Sequence, residues 1–356
     1  MPCSLRGTFR AGPVAALLGL ALGCLALGPA LGPGFVLVQD MVFVPDPVYT
    51  RFTFGLAGSA PRVVPSDAVV TALSWVLPAE VVQKVILLGV FVLGCSGAAL
   101  LVPSRRLTPR LVAGTFYVWN PYVAERLLMG QWALLLGYAA LPWVVRATGS
   151  ARRSAVAMTP AAAGGFAAMA ITALTALPLA VLREGRTPWT ARVARVAPVV
   201  AVLAGFSLPW LVPTLLRPGV LTGDATGVEA FAARADGPFG AVGSLLSLGG
   251  IWNAQAVPVG YDTVAGAVGR LVLCLAGIAG FAAARGLPYR RGLAVAAAGG
   301  FGIACLGVSA AGRAALGRSV EAWGGFAVFR DAQQFVAPLA LLAAVGLGLL
   351  TARAMG

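Results

Sequence analysis

Between Pro13 and Leu37 the chain carries no charged residue, and the same holds for Val85–Val102, Ala155–Leu182 and Ala332–Ala352. A helix needs about 20 apolar residues to cross the ~30 Å hydrocarbon core of a bilayer. In lipid each backbone N–H and C=O must be satisfied internally, which helices do segment by segment. The runs therefore predict an all-α, polytopic membrane fold. Composition agrees: 59% of residues are apolar and only 11% are charged.

The net charge of +14 comes from 26 Lys and Arg against 12 Asp and Glu. These bases flank the apolar runs instead of interleaving with stacking aromatics on one face, so nucleic acid is not the partner they indicate. Read by the positive-inside rule, they place both termini in the cytoplasm. About ten crossings follow, near 13–37, 79–102, 110–119, 131–147, a hairpin of two short helices in 155–182, 196–215, 264–284, 292–310 and 335–351. Residues 155–182 are counted as a hairpin because arginines flank both ends, although a single crossing is the alternative. The whole of 1–356 reads as one integral membrane domain of a multi-pass plasma-membrane protein, its first helix uncleaved. External segments cover 38–79, 120–130, 217–262 and 311–334. On this topology Glu184 is the only one of the 12 acids on the cytoplasmic side. Amphipathic helices are expected in the external loops, one of them N-capped by Ser66.

The five cysteines are scattered, mostly through apolar runs, and the chain has no histidine, which rules out zinc-site spacing and His-based catalysis. Chemistry is expected at the external face, where the acids gather. Asp40 follows the first run in VLVQDMVFVPDP. It reads either as a boundary charge or as a general base at the lipid surface, and a carboxylate there can also help bind Mg²⁺ or Mn²⁺. Asp46, between two prolines, is a weaker second candidate.

Residues 119–132, WNPYVAERLLMGQW, break the apolar pattern. Asn120 followed by Pro121 is a helix start, an N-cap with proline at the first helical position. A short interfacial helix over 121–129 would place Tyr122, Glu125 and Arg126 on one face. Phe116, Tyr117, Trp119, Tyr122, Trp132 and Tyr138 read as an aromatic interface belt. Arg126 is then either a snorkelling anchor or a ligand for a lipid phosphate, with Glu125 orienting it or a sugar hydroxyl. In FRDAQQF, Arg330 beside Asp331 is either a surface pair or a second phosphate ligand.

The acid after helix one, the long external loop, the Asn-Pro-Tyr-Val-Ala-Glu-Arg/Gly-Gln-Trp element and the late Phe-Arg-Asp motif together resemble the GT-C superfamily of polytopic glycosyltransferases, particularly actinobacterial-type members. The resemblance implies transfer of a sugar from a polyprenyl-phosphate donor to a glycan or lipid acceptor of the cell envelope, at the outer face. Asp40 matches the acid of the first external loop, which in that family serves as base or metal ligand. The chain departs from the pattern in two places, with Met41 after Asp40 where a second acid would make a pair and Gln334 where a lysine is expected; within 1–356 no separate soluble domain is expected. A non-catalytic subunit that needs a partner protein and a lipid or solute transporter are the competing classes.

Overall fold

The computed structural model describes residues 5–58, 63–182, 189–217 and 226–356. Glu184 and two of the arginines that flank 155–182, Arg183 and Arg186, lie outside them. The described residues form helices and turns with no strand, apart from an isolated bridge between Val38 and Met41. Five helical stretches are long and apolar enough to cross a membrane, or six if one bent pair counts as a span. This is an all-α membrane protein.

The first helix, α1 (Leu5–Leu27), starts earlier than the apolar run and ends earlier too. Gly28, at φ +47°, closes it, and a 3-10 turn follows over Gly28–Leu31. After α2 (Ser66–Ser74), α3 (Ala79–Leu101) runs to the opposite pole and α4 (Leu107–Val118) returns. The short α5 (Pro121–Leu128) caps that return, and α6 (Trp132–Ala147) descends again. Then α7 (Ala151–Gly164) and α8 (Phe166–Val181) form the hairpin, reversing at Gly165, whose φ of +78° favours glycine. Pro160 and Pro178 sit inside the arms and are not the break. The hairpin tip reaches the same pole as α5: a Cβ on Gly165 would lie 2.6 Å from the Val64 carbonyl oxygen.

The second half holds α9 (Trp189–Leu216), the short α10 (Thr226–Ala230) and α11 (Gly240–Leu246), and then α12 (Val264–Ala282). Next, α13 (Arg290–Leu306) and α14 (Ala310–Ala322) meet at 95°, so α14 lies across the pole that α13 reaches. Two 3-10 turns lead into α15 (Ala337–Ala354). That last span is the centre of the bundle, with 83% of its most apolar window buried, against 17% for α1 and α9, whose apolar sides face outward.

Glycines set the helix spacing. A Cβ on Gly346 would lie 1.7 Å from the Gly277 carbonyl oxygen, so α12 and α15 touch backbone to backbone. Lipid supplies no hydrophobic drive between helices, and small residues of this kind supply close van der Waals packing instead. One sequence expectation fails here. Ser66 does not cap α2: Pro65 occupies that position, and the Ser66 hydroxyl donates to the Val63 carbonyl.

At the pole away from α5, arginines answer the open carbonyls of helix ends. Arg146 donates to Leu100, Arg353 to Ala283 and Arg290 to Ala282, with Tyr289 donating to Leu101. Cations near helix C-termini are stabilising, each by about 0.3–1 kcal/mol when exposed.

Two glycine variants should separate packing from propensity. Gly346→Val forces α12 from α15 and should destabilise the protein by at least ~1–3 kcal/mol, the usual cost of overpacking. Gly302→Ala, within α13 and with nothing within 4 Å of the added carbon, should be neutral or stabilise by about 0.5–1 kcal/mol. Thermal unfolding of both in the same detergent checks the pair.

Candidate functional site

Asn120 caps α5 as its sequence indicates. Its side chain accepts from the Val123 N–H at 3.2 Å, with Pro121 in the first turn. Its amide donates to the Phe116 and Tyr117 carbonyls and to the Tyr138 hydroxyl. Such a cap is worth about 1 kcal/mol, and here it also turns the chain sharply off α4.

The aromatic belt is a correction. Tyr117, Tyr122 and Tyr138 are fully buried and stack on one another, with Tyr138 4.3 Å from Tyr117 and 4.7 Å from Tyr122. Tyr117 and Tyr138 each donate to the other's carbonyl at 2.6 Å, and Tyr122 donates to Gln334 at 2.8 Å. Three hydroxyls that each find a carbonyl can be buried at little cost, so the rings leave the lipid boundary for the interior. Trp119, 47% exposed, remains outside.

Tyr122 in turn carries Arg126. The guanidinium carbon sits 3.7 Å from the Tyr122 ring centroid, the face pairing that the i, i+4 spacing predicts. Arg126 is only 1% exposed, so it does not snorkel to headgroups. Its Nε and Nη1 have no hydrogen-bond partner among the described residues. A desolvated cation–π contact contributes ~2 kcal/mol, less than the several kcal/mol that burying an ion costs.

The Asp40 turn docks on the end of α5. Val38 and Met41 close the turn with paired backbone hydrogen bonds, Gln39 takes φ +42°, and the Asp40 N–H donates to the Met129 carbonyl at 3.1 Å. Gly130, at φ +77°, makes the contact possible: a Cβ there would lie 2.2 Å from the Val38 oxygen and 2.5 Å from the Met41 nitrogen. The strand-like stretch before the turn is held along the first turns of α3, where Glu80 accepts from Gly34, Gln83 pairs both ways with Val36, and Lys84 donates to Gly32. Asp40 itself is exposed.

Asp331 joins the two sides. Gln131 donates to it at 3.4 Å, and its carboxylate lies within electrostatic reach of Arg126, Asp40 and Arg330. Burial pushes the Asp331 carboxyl up, with Arg126 the main opposing influence. Arg330 packs over the Phe231 ring at 4.8 Å, and Phe231 meets Trp252 edge to face. Asp40, Arg126, Arg330 and Asp331 are thus brought to one place by three distant parts of the chain. Asp46 is exposed in a bend beyond the turn, with no hydrogen bond or ion pair to this group among the described residues.

Glu125 differs from the sequence reading. It is fully buried and accepts from the Ile251 N–H at 3.2 Å. Its second neighbour is Asp236, which sequence reading left among the general acids of 217–262. Burial, and after it the Asp236 charge, hold the Glu125 carboxyl well above the usual carboxylate range.

Among the described residues no three His, Cys, Asp or Glu side chains converge as a metal site. A cavity of about 290 Å³ opens at the opposite pole, lined by Arg146, Thr148, Tyr289 and apolar side chains, and shares no residue with this cluster. Its three polar side chains all donate to main-chain carbonyls. No family model, curated protein or solved structure matches the chain.

Gly130→Ala should lift the Asp40 turn from α5. The left-handed conformation alone costs an L-residue ~1–2 kcal/mol, and the contact with Val38 adds to it. We expect a lower unfolding temperature and faster thiol labelling of a reporter cysteine at Gln39. Unchanged labelling would show that the turn does not depend on Gly130.

Proposed function

We propose that this chain is a GT-C-like glycosyltransferase that moves a sugar from a polyprenyl-phosphate donor to a cell-envelope acceptor. In this reading it crosses the plasma membrane about ten times with both termini in the cytoplasm. The pole carrying Asp40, α5 and the 330–331 pair then faces outward. The observation that carries the reading is Arg126, a buried guanidinium with open donors beside a second arginine and an exposed carboxylate. A lipid-linked phosphate supplies the oxygen acceptors those donors lack.

The transfer is inverting. Asp40 accepts the proton of the acceptor hydroxyl, the freed oxygen attacks the anomeric carbon, and the bond to the phosphate oxygen breaks. Arg126 and Arg330 stabilise the charge on the leaving polyprenyl phosphate, the electrostatic contribution that is usually largest. Tyr122 and Asn120 hold Arg126 in place, and Asp331 with Gln131 positions the two arginines across the site. Exposure of Asp40 suits a base that must meet an acceptor arriving from outside. The apolar sides of the surrounding helices suit a donor whose tail stays in lipid.

Replacing Asp40 by Asn should lower sugar transfer from a polyprenyl-phosphate donor by about 10²-fold or more, with the unfolding temperature unchanged. Arg126→Lys keeps the charge but loses the planar fork, and should weaken donor binding and transfer together. Full activity in the Asp40 variant sinks the assignment of the base. Uptake of labelled lipid-linked sugar into proteoliposomes lacking any acceptor would instead indicate a transporter, and activity only beside a co-purifying enzyme would indicate a subunit.

A further inference from the structure

Glu125 and Asp236 occupy one small space. Gly249 lies against both: a Cβ on it would sit 2.0 Å from Asp236 Oδ2 and 2.6 Å from Glu125 Oε1. Asp236 Oδ2 accepts from the Gly250 N–H, and Glu125 Oε2 accepts from the Ile251 N–H. The remaining oxygens, Glu125 Oε1 and Asp236 Oδ1, are buried and have no donor among the described residues. Asp236 Oδ2 and Glu125 Oε1 thus both lie within 2.6 Å of one position. Two carboxylate charges so close in a desolvated space repel, and a proton held between them relieves that repulsion. The cavity beside Asp236 holds about 10 Å³, at the lower limit for a single water.

Backbone geometry reinforces the pairing. Leu248 is fully buried at φ +73°, a left-handed conformation that a non-glycine residue holds only where its surroundings impose it. Gly250 follows at φ +89°. The chain bends over Leu248–Gly250 so that consecutive amides point at the two acids. The charged and titratable groups that face the pair are Arg126 from α5, and Arg270 from α12 with Tyr261 before it. Arg270 itself packs over the Tyr261 ring at 4.1 Å. Burial pushes the Tyr261 hydroxyl up to about 12, so it stays neutral across the physiological range.

We infer that Glu125 and Asp236 form a proton-binding dyad, Glu125 donating the shared proton to the Asp236 carboxylate, whose occupancy sets how strongly Arg126 can hold an anionic phosphate. With the proton bound the dyad carries one negative charge, answered by Arg270 and the loop amides. Without it the dyad carries two, and the second falls next to Arg126, the group whose charge the phosphate needs. Linkage is reciprocal: phosphate binding on Arg126 favours uptake of the proton, and loss of the proton favours release of the phosphate. Affinity for phosphate is therefore full while the dyad holds its proton and falls as pH rises through the point where the proton leaves. The phosphate half of this inference rests on the proposed function; the dyad itself does not.

Infrared spectroscopy of the full chain in lipid nanodiscs tests the dyad directly. At neutral pH the wild type should show a protonated-carboxyl stretching band that Glu125→Gln removes and Asp236→Asn shifts or removes. Absence of any band removed by Glu125→Gln overturns the dyad. Binding of polyprenyl monophosphate in the same nanodiscs tests the coupling. Wild-type affinity should fall about fivefold or more, the usual range for coupled sites, over the pH interval in which the band disappears, while Glu125→Gln shows no such dependence. Asp331→Asn, which removes the other raised carboxyl near Arg126, should keep the dependence. A pH-independent wild-type affinity overturns the coupling. A clear band with no lipid-phosphate binding at any pH leaves the dyad standing and sinks the proposed function with the coupling.

Discussion

An arginine with 1% of its surface exposed has to be answered by its surroundings, and much of the pole around α5 is arranged to do so. The ring of Tyr122 supplies one face. Tyr122 is fixed by its stack on Tyr138 and by its bond to Gln334, so the residue that carries the guanidinium also ties α5 to the segment entering the central span α15. Asp331, three residues before Gln334, comes along with that tie. The position of Arg126 relative to Arg330 and Asp331 is thus set by the same few hydrogen bonds that hold the bundle's centre to its cap. A substitution that loosens Tyr122 should disturb both.

The local half of this arrangement was legible in WNPYVAERLLMGQW. Asn120 and Pro121 announce a helix start through their own backbone chemistry, and the i, i+4 spacing of Tyr122 and Arg126 brings them together on any helix. Gly130 and Gln131 were not legible in the same way. Gly130 matters because the Asp40 turn lands on it, and Gln131 because Asp331 does, and both partners arrive from remote parts of the chain. Asp236 was hidden for the same reason, since its loop pairs with Glu125 across 126 residues at Ile251. The aromatic residues misled in an instructive way. Tyr at an interface and Tyr in a core share one composition signal, and only the availability of carbonyl acceptors decides between them. Here Tyr117 and Tyr138 satisfy each other.

The two poles use charge differently. At the pole away from α5, arginines donate to the carbonyls that end α3, α12 and α15. At the α5 pole the charges face one another inside the protein. Arg126, Asp331, Glu125 and Asp236 form a graded set in which burial raises every carboxyl. The arginines oppose that rise, yet no acid answers Arg126 Nε and Nη1, which stay open among the described residues.

That shortfall has a geometric consequence. Arg126 has open donors but almost no open surface, so an anion reaches it only by displacing part of the cluster. The segments around it are not equally firm. The Tyr stack and the Asn120 cap are multiply bonded and buried, as is the loop over the dyad. The Gln131 to Asp331 contact, at 3.4 Å, is long, and burial has already weakened the hold of Asp331 on its charge. Protonation of Asp331, or its exchange for a phosphate oxygen, removes the one carboxylate that competes with an anion for both arginines. On the proposed function, ligand entry from the Asp331 side would cost less than entry through α5, and it would deliver a phosphate between Arg126 and Arg330 with Asp40 on the exposed flank.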